Sequence, residues 1–266
     1  MKPTQLPTES LEAITRAEIE IQISTAKKYP RDLPAVLEKI KAYAKMDIET
    51  AEECFYSLRR ADKNGKTKNI SGIGVRMAEL IANCWGNLRI QTRIINNDGK
   101  TITGMGSCHD LETNLFISVE DKRSICNRLG KTFSHDLQVL TGNAAASVAF
   151  RNSILKVVPK SVLKNILDDI REFALGSDAD FESSKKDVIA YFTEKGVAEK
   201  QIIKYLGIKA IKEIDKDILF ELKSLRTAVK DGTTTIKEAF VVEKLVEEKK
   251  AAIRKKRSSI KKVDLP

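Results

Sequence analysis

Arg89 and Arg93 stand four residues apart in LRIQTRIIN, a stretch in which polar and apolar side chains alternate. Such alternation places both arginines on one face of a strand. Lys122, Arg123, Arg128 and Lys131 follow, then Arg151, Lys156 and Lys160, and Arg76 precedes them all. Fixed cations spaced in this way suit the neutralisation of a row of phosphates. They break no bonds. Carboxylates in the same region offer a second chemistry. Asp110, Glu112 and the run Glu120-Asp121-Lys122 have a spacing with which two carboxylates hold magnesium beside a lysine.

Arg151 is the unusual cation. Stepping along FRNSILKVVPK at the helical angle puts Val148, Phe150, Ile154, Leu155, Val157 and Val158 in one arc, with Arg151 in its middle. Asn152, Ser153, Lys156 and Lys160 fall opposite. A guanidinium in an apolar arc needs a compensating charge. Asp110, Glu112 and Glu120 are the carboxylates that could supply it, and a phosphate entering a gap in the arc is the other solution.

The elements that must hold these residues change period along the chain. LEAITRAEIEIQISTAKK, LPAVLEKIKAYAKM and IETAEECFYSLRR read as helices, with Pro30 and Pro34 at the first junction and Asp47 as N-cap of the third. DKNGKTKN (62–69) reads as a loop, and Ser71 as the cap of a helix whose stripe is Ile73, Met77, Leu80, Ile81 and Cys84. That helix stops at Gly86-Asn87. The period then drops to two: LRIQTRIIN, a turn at NDGK, TITGMGSCHD and TNLFISVED predict three antiparallel strands. Gly104 and Gly106 share a strand face, which suggests a bend or close backbone approach. A basic segment, DKRSICNRLGKTFSHD, leads to a helix over 141–158 whose small start, AAAS, permits tight packing on the sheet. From about 185 the chain is helical in short pieces ending at Gly196, Gly207 and Gly232.

The expected fold is therefore α+β: a three-stranded antiparallel meander flanked by helices, with N-terminal helices and a small C-terminal helical module. The expected division is an N-terminal helical region (1–60), an α+β core (61–176), a helical module (185–240) and a basic helical or disordered tail (241–266).

Composition narrows the partners. The 266 residues carry a formal net charge of +10, with pI near 9.3. Residues 63–164 hold 15 Lys and Arg against 7 Asp and Glu, and residues 241–266 hold 9 against 4. A folded region with an excess of +8 points to a polyanionic partner. Cys54, Cys84, Cys108 and Cys126, with His109 and His135, are too scattered for a structural zinc site and read as reduced thiols of a cytosolic protein. No apolar run is long enough for a membrane span, and the N-terminus lacks an apolar signal core. Phosphate-loop, nucleophile-elbow and helix-turn-helix patterns are absent from the sequence. Aromatic residues make up only 6%, so base stacking is expected to contribute little, with Trp85 and Phe133 as its candidates.

A helix closed by glycine, a three-stranded meander, and a helix ending in an apolar/Lys/apolar/apolar/Pro pattern together resemble the phage single-strand annealing proteins of the RecT/Redβ class. Here these are SGIGVRMAELIANCWGN and FRNSILKVVPK, and the resemblance covers roughly residues 60–165. Lys156 and Pro159 stand at the lysine and proline of the family's closing helix, and Asn152 stands where a basic residue is expected. The resemblance implies a non-enzymatic, ATP-independent protein without a cofactor, which binds single-stranded DNA and anneals complementary strands during recombination. It further implies ring or helical homo-oligomers in the cytoplasm of a bacterial host. A C-terminal module would dock the host single-strand binding protein or a phage exonuclease. The expected DNA-binding residues are Arg76, Arg89, Arg93, Lys122, Arg123, Arg128, Lys131, Arg151, Lys156 and Lys160. Two other readings stay open. One is a metal-dependent nuclease built on Asp110, Glu120 and Lys122. The other is a basic DNA-packaging accessory that touches nucleic acid through its tail.

Overall fold

The structure is a computed structural model that describes residues 8–61, 67–127, 129–176 and 178–240. It has the expected α+β class, but its two compact units are interleaved in sequence. One comprises residues 1–43 and 78–166, the other residues 44–77 and 167–266.

The first unit contains the meander: β3 (Leu88–Asn97), β4 (Thr101–Asp110) and β5 (Leu115–Ser124), in spatial order β3-β4-β5. It also contains α1 (Thr8–Lys28), α2 (Leu33–Ala44) as far as Tyr43, and α4 (Val75–Trp85) from Ala78 onward. The first two helices match the expected segments. The turn between β3 and β4 is held by Asp98, whose carboxylate accepts from the amides of Lys100 and Thr101 and from the Thr101 hydroxyl. These bonds, above all those from Thr101, push the Asp98 carboxyl down to about 2, with a small contribution from Lys122. At the helix stop foreseen between α4 and β3, Gly86 and Asn87 both take the left-handed conformation, with φ of 67° and 50°.

Helix α5 (His135–Val157) covers one face of this sheet. It begins six residues earlier than the sequence suggests. A Cβ on Gly104 would lie 2.6 Å from the backbone of Ala145 and Ala146, and one on Gly106 would collide with the Ala149 backbone. The close approach expected from these glycines and from the small-residue start of the helix is therefore present, and it fixes the faces. Ile102, Gly104, Gly106 and Cys108 look at α5, whereas Thr103, Met105, Ser107 and His109 look away. The helix ends earlier than expected on the other side, too. Val158 is extended, Pro159 follows, and Lys160 opens a new helix, α6 (Lys160–Leu175).

The second unit corrects the sequence reading. The third helix stops early: α3 is Ile48–Glu53, capped as foreseen by Asp47, which accepts from the Thr50 amide at 2.7 Å. Residues Phe55–Ala61 form a strand, β1, paired antiparallel with β2 (Thr67–Ile73). Ser71 lies in that strand opposite Ser57 rather than capping a helix, and Ile73 lies opposite Phe55. β-propensity in Phe55, Tyr56 and Leu58, together with pairing to a second strand, overrides the helical reading. The remainder is helical: α7 (Asp178–Glu194), α8 (Glu199–Leu206), a short 3-10 turn (Ile211–Glu213) and α9 (Lys216–Lys230). Phe192, Ile202, Leu222 and Leu225 centre its core. Gly207 closes α8 in the left-handed conformation, as foreseen.

The zero clearance at Gly106 gives the first prediction. Gly106→Ala should lower stability by about 2 kcal/mol or more, because the added methyl meets backbone and cannot be relieved by a rotamer change. Thermal and urea unfolding of the purified variant measure this, and a wild-type midpoint would contradict the packing described.

Candidate nucleic-acid interface

Pairing register sorts the cationic residues by face. Residues paired across an antiparallel sheet point the same way. Arg89 pairs with His109 and His109 with Phe116; Gln91 pairs with Ser107 and Ser107 with Ser118. Arg93 pairs with Met105 and Met105 with Glu120, while Thr103 pairs with Lys122. All of these lie on the face turned away from α5. Arg89, Arg93 and Lys122 thus share one surface, with Glu120 as its carboxylate. Arg93 and Lys122 are exposed, and Arg89 is half-buried and donates to the Gln22 side chain of α1 at 3.0 Å. Between them the central strand turns Thr103, Met105, Ser107 and His109 to this face, and Thr103 and Ser107 are each only 5% exposed.

The other expected residues lie elsewhere. Arg123 is on the α5 side of β5 and pairs with Asp121 at 2.7 Å. Lys131 is exposed in the segment after β5, Lys156 is exposed on α5, and Lys160 is exposed at the start of α6. Arg76 is exposed but belongs to the second unit. Arg128 lies outside the described residues, as does the basic tail.

Arg151 is buried, at 6% exposure, as its place in the apolar arc implied. Its Nε donates to the Asn152 side chain at 3.1 Å. Two of the carboxylates expected to meet it, Asp110 and Glu112, are engaged by a different arginine. Ser153 is a second correction. It is fully buried rather than on the polar side, and its hydroxyl donates to the Phe150 carbonyl within the helix.

The arginine that takes those carboxylates is Arg31, in the link between α1 and α2. Its Nη1 and Nη2 donate to Asp110 at 2.7 and 2.8 Å, its Nε lies 3.1 Å from Glu112, and its backbone amide donates to Glu112. The guanidinium lies 4.9 Å from the Trp85 ring centroid. Asn87 adds a 2.6 Å bond to Glu112 and another to the Tyr29 carbonyl. Trp85, expected as a possible stacking residue, is thus a buried wall under Arg31. Burial pulls the Asp110 carboxyl up, but Arg31 and the amides of Glu112 and Thr113 outweigh this and hold it below its ordinary 3.8.

This geometry separates the parts of the proposed magnesium site. Asp110 points to the α5 side at the strand end and is bound by Arg31. Glu120 and Lys122 point to the opposite face. Asp110 pairs with Leu115, five residues along β5 from Glu120, a separation of about 17 Å. These carboxylates cannot hold one ion, and no cluster of three metal-ligating side chains occurs among the described residues. The cysteines are free thiols, and burial pushes Cys54 and Cys108 up to about 12, beyond the range of a reactive thiolate at neutral pH. Among the described residues no helix is long and apolar enough to cross a membrane.

In the second unit, Arg59 grips Glu221 with two nitrogens and donates to the Tyr205 carbonyl. Glu52 receives both Lys223 and Arg226. An open groove of about 510 Å³ beside α7 is lined by Glu182, Lys186, Ile189, Ile211 and Lys212 among others. No family model, curated protein or solved structure matches the chain.

Two predictions follow from the buried pairs. Asp110→Asn removes the bidentate partner of Arg31 and leaves Glu112 as its remaining counter-charge, so it should cost about 1–3 kcal/mol of stability. Because the folded Asp110 carboxyl titrates below its unfolded value, its contribution is complete above about pH 4 and fades as pH falls through the lower folded value. Urea midpoints from pH 6 to pH 2.5 should therefore fall more steeply for wild type than for the asparagine variant. For Arg151, buried on α5, alanine should lower the melting temperature while Lys156→Ala leaves it unchanged. The reverse order in a thermal scan would mean that the helical phase is misassigned.

Proposed function

We propose that this chain binds single-stranded nucleic acid on the exposed sheet face of its first unit and anneals complementary strands without nucleotide hydrolysis. The observation that carries this is the co-facial placement of Arg89, Arg93 and Lys122 across β3 and β5, flanking a central strand that turns Thr103, Met105, Ser107 and His109 to the same side. Such a surface holds a phosphate backbone by charge and presents no recognition helix to a major groove, so it favours binding without sequence preference. Pairing two strands requires that base edges stay accessible, and an open sheet face leaves them so. The resemblance to the RecT/Redβ class points the same way. It also suggests oligomeric rings or filaments and a partner-docking role for the C-terminal helices, for which the α7 groove is the natural seat.

Purified protein mixed with two dye-labelled complementary strands, in the absence of ATP and divalent metal, should speed their pairing well above the spontaneous rate. Equal rates with and without protein would refute annealing. Arg93→Glu combined with Lys122→Glu should weaken single-strand binding strongly and make its salt dependence shallower by roughly one to two units. The melting temperature should stay near wild type, since both side chains are exposed. Removing residues 241–266 should leave binding measurable. Loss of all binding on that truncation, with the double variant unaffected, would establish the packaging-accessory reading instead.

A further inference from the structure

Phe116 lies in β5 on the same face as the cations and is 59% exposed, with polar Ser118, Glu120 and Lys122 following it on that face. The other side of the strand takes the apolar residues Ile117 and Val119. A large aromatic ring set among serine, glutamate and lysine gains nothing from the core. It is nonetheless held in place. His109 meets it edge to face, with centroids 5.9 Å apart at 82°. The imidazole is itself fixed, its Nε2 lying 2.9 Å from Asn114 Oδ1. Asn114 occupies the β4–β5 turn in the left-handed conformation, with φ of 58°. On the far side of His109 the same cross-strand row ends in Arg89. One row therefore reads guanidinium, imidazole, phenyl, across about 10 Å of sheet.

We propose that Phe116 is a stacking platform for one base of the bound strand, oriented by His109, with Arg89 and Arg93 holding the adjoining phosphates. The proposal deepens the single-strand reading and rests on it. Every nucleobase offers a π face, so one ring adds affinity without sequence preference. A base stacked on one side keeps its pairing edge free for a complement. The charge of the face selects a polyanion over an apolar partner peptide, and the isolated ring among polar residues is too small for a protein hot-spot core.

The test uses the full chain, a dye-labelled thymidine oligonucleotide and an abasic sugar–phosphate strand of the same length. Wild type should prefer the thymidine strand by on the order of tenfold. Phe116→Ala should lose that preference and keep its affinity for the abasic strand and its melting temperature. Phe116→Trp should restore the preference, and its fluorescence should be quenched by the thymidine strand alone. That signal is separable because Trp85, the only native tryptophan, is buried. If wild type binds both strands equally, or Phe116→Ala retains the preference, stacking is overturned while backbone binding stands. If wild type binds neither strand, the single-strand reading falls together with this proposal.

Discussion

The contact on which the first unit depends is the one without side chains. Gly104 and Gly106 let the backbone of α5 descend onto β4 at Ala145 and Ala149, and no other residue type leaves that space. The consequence reaches the opposite side of the sheet. Once α5 has claimed the even residues of β4, pairing in register sends Arg89, Arg93, Phe116 and Lys122 outward together. A slip of one residue would exchange the two faces and bury the cations under the helix. The helix contact and the composition of the open face are thus one constraint seen from two sides.

Charge is divided along similar lines. Two arginines shielded from water are matched to carboxylates by geometry, Arg31 to Asp110 and Glu112 and Arg59 to Glu221. Planar guanidinium donors suit these fixed forks, and each spans segments far apart in sequence, so each ties the chain into its fold. The exposed cations, Arg93, Lys122 and Lys156 among them, lie where water and salt screen them. Positive charge on Arg93, Lys122 and Lys156 therefore resides where a polyanion can reach it.

Much of this was legible in the sequence, for local reasons. Alternation through most of LRIQTRIIN, a turn at NDGK and two glycines in phase indicated the meander and a bend or close contact on its second strand. Alternation also put Phe116 in phase with Ser118 and Glu120, so the exposed ring could have been found by following the period rather than the overall aromatic content. The hairpin of β1 and β2 escaped because FYSLRRA fits a helical spacing as well as a strand, and its partner TKNISGI carries few apolar residues to betray a period. Arg31 escaped for a different reason. Its partners lie about 80 positions away, and nothing in RDLP distinguishes an arginine bound for a buried pair from one on the surface. Ser153 satisfies its hydroxyl within its own helix, so a polar side chain sits in the core without disturbing the pattern around it.

The depth of the open face follows from the same alternation. Thr103 and Ser107 on the central strand are short, but Met105 stands between them in the row that joins Arg93 to Glu120, so the face dips beside Lys122 and again at Ser107 and is filled in between. A polyanion lying across this face would meet cations from both edge strands, Arg93 on β3 and Lys122 on β5. Glu120 stands across Met105 from Arg93 and subtracts from the local positive potential. For the proposed annealing, in which one strand is exchanged for a duplex, that moderation is an advantage. Adhesion strong enough to immobilise the backbone would also oppose the helical twist that pairing imposes.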